Sequence, residues 1–86
     1  MITIKKFYAD WCMPCKSLSP VIQQLKVEYP NINFIDINID DEVVETKLHG
    51  VRSVPTIIIE KDGISVNRMS GLKTRQQYVD AINQLN

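Results

Sequence analysis

The chain holds two cysteines, Cys12 and Cys15, three residues apart. That spacing limits how the chain can be built. A disulfide stabilises more as the loop it closes lengthens, and the Cys12–Cys15 loop is nearly as short as loops get. It cannot staple distant segments together. A structural zinc site asks for four Cys or His ligands, whereas two Cys and one His are present; only an intermolecular site would complete the set. With 86 residues, enough for one small domain, the chain must hold itself together by an efficient apolar core. An apolar fraction of 44% makes that core attainable.

Periodicity says how the core is assembled. Ile2 to Tyr8 is a short apolar, β-branched run and predicts a strand. A helix is expected after Cys12. Pro14 suits its first turn, where the missing N–H costs nothing, and Leu18, Ile22, Leu25 and Tyr29 recur at helical spacing. Pro20 predicts a kink within it, and Tyr29-Pro30 its end. Ile32 to Ile39 predicts the next strand. Ile35, Ile37 and Ile39 alternate there with Asp36, Asn38 and Asp40, and Phe34 adds apolar weight on the Asp36 side. A helix of about two turns is expected over Asp41 to His49, with Asp40 and Asp41 as caps. Lys47 and His49 fall where the helix dipole favours cations, and Gly50 closes the turn. Thr56 to Glu60 predicts a buried strand, Asp62-Gly63 a hairpin turn, and Ile64 to Met69 the returning strand. Thr74-Arg75-Gln76-Gln77 is a capping-box pattern. Tyr78, Ala81, Ile82 and Leu85 follow at helical spacing.

The order β-α-β-α-β-β-α is an α/β arrangement. Its first three elements make a right-handed crossover with parallel strands, extended to a mixed four-stranded sheet with helices on both faces. No repeat, low-complexity tract or linker interrupts the chain, so residues 1–86 read as a single domain. Ten basic and ten acidic residues cancel, which points away from nucleic acid and anionic membrane as partners. No apolar stretch approaches the ~20 residues of a membrane span. Met1 to Lys6 carries its charges after its apolar residues, unlike a signal peptide. A cytoplasmic setting, where thiols are kept reduced, is expected.

A Cys-x-x-Cys pair at a strand-to-helix junction has a specific chemical use. Unpaired N–H groups and the helix dipole favour a thiolate at Cys12, and the thiolate is the form that attacks disulfides. Cys15, one turn on, can reach the Cys12 sulfur, close a disulfide and expel the substrate. A disulfide staple or part of a metal site are the plainer readings of the pair. His49 reads as a surface or helix-end residue, with nothing to place it as a base.

Trp11-Cys12-Met13-Pro14-Cys15-Lys16 closely resembles the thioredoxin active site. Phe7-Tyr8-Ala9-Asp10 before it, the kink proline Pro20, the Val54-Pro55-Thr56 loop, the Lys61-Asp62-Gly63 turn and Gly71 extend the likeness along the chain. The resemblance implies a thioredoxin-like fold and a protein-disulfide reductase. It implies a redox-active Cys12–Cys15 disulfide in place of any metal, flavin or nucleotide cofactor. It also implies a cis Val54-Pro55 bond that leaves the Val54 backbone open to an extended substrate. The substrate surface would be Trp11, Met13, Pro14, Val54, Pro55 and Gly71. Gly71 serves either as a turn residue or as a point of close substrate approach. Partners would be disulfide-containing proteins and a thioredoxin-reductase-like or glutathione electron donor, with the chain a monomer.

Three departures stand out. The chain starts at the strand leading into Cys12, the minimal core found in glutaredoxins and in short thioredoxins. Met13 replaces a glycine. Lys6 stands where the family carries an aspartate, and Asp36 where it carries a lysine. Lys6 and Asp36 are therefore expected to pair across adjacent strands beneath Cys15, because an isolated buried charge is expensive, with Asp36 as proton acceptor for Cys15 and the pair as a whole modulating its ionisation. In the plainer alternative Lys6 snorkels to solvent and Asp36 is exposed. Two other functions fit less well. A glutathione-recycled glutaredoxin is disfavoured by Trp11, by Pro14 and by Leu72-Lys73-Thr74, which lacks a glutathione-binding pattern. A non-catalytic docking module remains the reading from another class.

Overall fold

The computed structural model of the chain describes residues 1–85. Seven elements follow in order: β1 (Ile2–Tyr8), α1 (Met13–Glu28), β2 (Asn33–Asn38), α2 (Val43–Leu48), β3 (Thr56–Lys61), β4 (Ile64–Ser70) and α3 (Arg75–Asn83). The sheet order is β2-β1-β3-β4. β1 and β2 run parallel, and the other neighbours are antiparallel. This is the expected thioredoxin-like mixed sheet, with β1 and β3 central.

Strand parity divides the residues between two faces. Ile4 of β1 and Ile57 and Ile59 of β3 lie on one face, packed with Leu18, Ile22 and Leu25 of α1 and Tyr78, Ala81 and Ile82 of α3. Most of these are within 1% of full burial, and each such aliphatic side chain contributes about 1.5–3 kcal/mol before ordering costs. Pro20 lies inside α1 without ending it. On the opposite face Phe7, Ile37 and Ile58 form a smaller cluster. Asp62 and Gly63 adopt φ of 52° and 82°, the two positive values that a tight hairpin turn matched to strand twist requires. Thr74 caps α3 through the expected reciprocal bonds with Gln77.

Three expectations need correction. β2 is one residue shorter at each end than Ile32 to Ile39. Ile35 stays 37% exposed although it shares the parity of buried Ile37, since β2 is an edge strand and α2 is short. α2 does not begin at Asp41. The N–H groups of Asp41 and Glu42 both turn back to the Asn38 carbonyl, so those residues are spent in a turn. The helix starts at Val43, and neither Asp40 nor Asp41 is its cap; Glu42 holds that position without a side-chain cap bond.

α2 buries none of its residues and is held by polar contacts. Lys5 Nζ lies 3.0 Å from Glu45 and 3.2 Å from Glu60. His49, at the helix end, sits 3.0 Å from Glu45 and meets the Phe7 ring in a T-shaped contact. The Arg68 guanidinium donates to the His49 and Gly50 carbonyls.

Candidate active site

Parallel pairing places Tyr8 opposite Asn38, so the loops leaving β1 and β2 run side by side at one end of the sheet. Cys12 is the N-cap of α1 and Pro14 lies in its first turn. The Cys15 N–H donates to Cys12 Sγ at 3.2 Å. The two cysteines are joined as a disulfide with Cα atoms 5.3 Å apart. Both are buried, at 3% and 4% exposure, in a cluster with Ala9 against which Tyr8, Ile39 and Val54 pack. No acidic residue lies in the first turn of α1 to oppose negative charge at the Cys12 sulfur. Open the disulfide by two electrons, and Cys12 is left with a helix N–H aimed at it and the positive end of the helix dipole beneath it. That is the setting in which a thiol ionises readily.

Around the sulfurs, Trp11 and Met13 are 66% and 68% exposed, and Pro14 is exposed beside them. The Val54-Pro55 peptide is cis. Val54 is half-buried, but Pro55 is buried, so its ring is not part of an open surface. Its carbonyl instead accepts from the Gly71 N–H at 2.9 Å. Gly71 has φ of 84°, and a methyl group added there would meet nothing within 4 Å. Backbone conformation accounts for this glycine; lack of space does not.

Lys6 and Asp36 are partners in the β1–β2 register. Their charged groups stand 3.8 Å apart, with the Lys6 side chain 13% exposed and that of Asp36 46% exposed. The pair forms as expected, but only its lysine is largely covered. Lys6 Nζ also lies 5.2 Å from the centre of the Tyr8 ring, a cation–π contact. Both charges line a cavity of about 450 Å³ together with Cys15, Tyr8, Asp10, Lys16 and Ser19. Cys12 is not among its lining residues.

One site residue went unrecognised in the sequence. Asp40 accepts a hydrogen bond from Trp11 Nε1 at 3.0 Å, while its own N–H donates to Asn38 Oδ1. The two residues are 29 positions apart, and only the β1–β2 register brings them together. Among the described residues no cluster of three or more His, Cys, Asp or Glu side chains could hold a metal ion, and no helix is long and apolar enough to cross a membrane.

Comparison with known proteins bears on this geometry. The family model described as Thioredoxin matches residues 2–84. The thioredoxin of Chlamydia caviae is 42% identical over 78 residues, covering 91% of this chain and 76% of the relative. That of Rickettsia typhi is 35% identical over 82 residues, covering 94% and 78%. Among solved structures, a thioredoxin from Nicotiana alata superposes with a TM-score of 0.91 at 30% identity, over 96% of this chain and 71% of that one. A mutant thioredoxin from Halobacterium salinarum gives 0.89 at 34% identity, over 96% and 73%. The chain belongs to the thioredoxin family, and it is a dithiol–disulfide oxidoreductase whose redox group is its own cysteine pair.

Proposed function

We propose that Cys12 is the attacking thiolate and Cys15 the resolving thiol of a cytoplasmic reductase of protein disulfides. The observation that carries this reading is the Cys15 N–H directed at Cys12 Sγ from the first turn of α1. In the first step Cys12 S⁻ attacks one sulfur of the substrate disulfide. A Cys12–substrate S–S bond forms, the substrate S–S bond breaks, and the departing thiolate takes a proton. Cys15 then loses its proton and attacks Cys12 Sγ. The Cys12–Cys15 bond forms, the mixed disulfide breaks, and the second substrate thiol leaves. Two electrons have passed from protein to substrate.

The Asp36 carboxylate, in the same cavity as Cys15, is the proposed acceptor of the Cys15 proton. Trp11, Met13, Pro14 and Val54 supply the substrate surface, with Gly71 at its margin and Pro55 acting from beneath through its backbone. Met13 widens that surface with a side chain that adapts to varied partners. The residues act as one domain and a monomer. Thioredoxins are reduced by thioredoxin reductase, and a donor of that type, not glutathione, regenerates Cys12 and Cys15 here; Trp11 and Pro14 support this choice.

Insulin reduction with a thioredoxin-reductase donor tests the reading. Wild type should turn over, Cys12→Ser should be inert, and Cys15→Ser should stall as a covalent adduct with substrate. Turnover by Cys12→Ser would end the assignment, and efficient recycling by glutathione alone would replace the donor.

A further inference from the structure

The segment that joins α2 to β3, residues 49–55, packs Val54 against the cysteine cluster. It leaves a helix with no apolar anchor, since α2 buries none of its residues. Carbonyls at a helix C-terminus lack intrahelical partners and carry the negative end of the dipole. Here a side chain from another strand meets them. Arg68 of β4 is the register partner of Ile58, on the sheet face of Lys5 and Phe7, where α2 is held. Its Nη1 donates to the His49 carbonyl at 2.5 Å and its Nη2 to the Gly50 carbonyl at 3.0 Å. One guanidinium thus engages two successive carbonyls, a fork that an ammonium cannot reproduce.

Those carbonyls belong to the two peptide planes on either side of the Gly50 Cα. Gly50 has φ of 62°, and glycine is the residue whose backbone swivels most freely. Fixing both planes fixes its φ and ψ. Beyond it, the Val51 N–H donates to the Thr46 carbonyl at 3.1 Å. At the far end Thr56, 1% exposed, donates its hydroxyl to the Ser53 carbonyl at 2.7 Å, and Gly71 holds the Pro55 carbonyl. Val54 lies between these fastenings, and among the described residues no backbone bond occupies its own N–H or carbonyl. Arg68 is exposed, so its bonds add little to global stability and their consequence is local.

We propose that Arg68 locks the backbone at Gly50 and so holds the Val54 backbone ready to pair with the segment that carries the substrate disulfide. This rests on the reading of Val54 as part of the substrate surface. Arg68 bonds neither the cysteines nor Val54 and is a positioning residue. A segment fixed before binding loses less freedom on binding. The benefit therefore goes to a substrate that lays its own backbone along Val54. A small disulfide without a peptide backbone gains nothing from it.

Insulin and 5,5′-dithiobis(2-nitrobenzoate) separate loop effects from sulfur effects. With the second reagent, the first thionitrobenzoate release reports attack by Cys12 and the second reports resolution by Cys15. Arg68→Met keeps an apolar stem and removes the donors. Its KM for insulin should rise about two- to fivefold, the equivalent of one lost hydrogen bond, while kcat and both phases of thionitrobenzoate release hold. Amides of residues 51–54 should exchange faster, with α1 and α3 as in wild type. Arg68→Lys should fall between the two, since it keeps the charge and loses the fork. Arg68→Gln provides the same test should the methionine variant not fold. A KM for insulin unmoved in the folded neutral variants overturns the proposal. So does full restoration by Arg68→Lys, which would make charge alone sufficient, and so does an equal slowing of thionitrobenzoate release. Failure of the underlying reading of Val54 looks different: wild type would then reduce a peptide disulfide methylated on the backbone nitrogen beside its cysteine with the KM of the unmethylated parent.

Discussion

Trp11 and Asp40 are tied by a hydrogen bond of 3.0 Å from the indole nitrogen to the carboxylate. The bond joins the loop before Cys12 to the loop after β2, and it leaves most of the indole face exposed. A large aromatic surface held still loses less entropy on contact with a partner than one that swings freely. Asp40 itself is steadied by the bond from its N–H to Asn38 Oδ1.

Asp40→Ala should therefore release the indole without disturbing the cysteines. Loss of one hydrogen bond at an exposed site amounts to about 0.5–1 kcal/mol, so KM for insulin should rise about two- to fivefold while kcat holds. A shift in Trp11 emission, the chain having one tryptophan, would accompany it. A fall in kcat with unchanged KM would mean that Asp40 acts on the sulfurs instead.

α2 should be the first element to loosen in acid. It buries no side chain and depends on Glu45, whose carboxyl is held below its ordinary value of 4.5 chiefly by the hydrogen bond from Lys5, with His49 adding to it. A group depressed by folding stabilises above its unfolded pKa, and that contribution fades as pH falls through the folded value. Amides of residues 43–48 should lose hydrogen-exchange protection on acidification below about pH 4.5, ahead of α1 and α3. Loss of protection in α1 and α3 at the same pH would refute an independent α2.

The strands, α1, the hairpin and the capped α3 were legible because each is written locally. Isoleucines on one parity, Asp62-Gly63 and Thr74-x-x-Gln77 need no tertiary knowledge. The Lys6–Asp36 pairing was also legible, since each charge interrupts an apolar strand and the two exchange the aspartate and lysine positions of the thioredoxin pattern. What the sequence concealed depends on depth and on distant partners. Nothing in Asp36 says that β2 is a half-open edge while Lys6 beside it is covered. Nothing in Asp40 distinguishes a helix cap from an acceptor for Trp11, because the difference lies in a turn that spends the Asp41 and Glu42 N–H groups on the Asn38 carbonyl. The resemblance to thioredoxins implies a surface role for Pro55, whereas the fold buries it.

Tyr78 carries a penalty that can be removed. It is fully buried among aliphatic side chains, and among the described residues its hydroxyl has no hydrogen-bond partner. A buried hydroxyl without a partner is destabilising, so Tyr78→Phe should leave stability unchanged or raise it by up to about 1 kcal/mol. Burial also pushes the phenol up from 10.0 to about 12. Between those values the unfolded chain releases a proton that the folded chain keeps, so rising pH favours unfolding. Urea midpoints across that alkaline range should decline less steeply in Tyr78→Phe than in wild type. A variant destabilised by more than about 1 kcal/mol would show that the hydroxyl does have a partner.

Asp36 and Lys6 should separate kinetically although they form one pair. On the proposed mechanism Asp36 accepts a proton, which affects how fast Cys15 is discharged once resolution begins. On the same reading Lys6 biases the ionisation equilibrium of Cys15 instead. Asp36→Asn should therefore slow the resolving phase below its pH midpoint, where Cys15 still has a proton to give up, by up to about a hundredfold, and should leave the high-pH plateau, where Cys15 is already a thiolate, unchanged. Lys6→Met should leave that plateau in place and move only the midpoint. The two variants followed by release of thionitrobenzoate across pH, with Cys12 attack as the internal reference, make the comparison. If Asp36→Asn resolves as fast as wild type on both sides of neutrality, Asp36 has no part in the proton transfer, and water in the cavity receives the Cys15 proton directly.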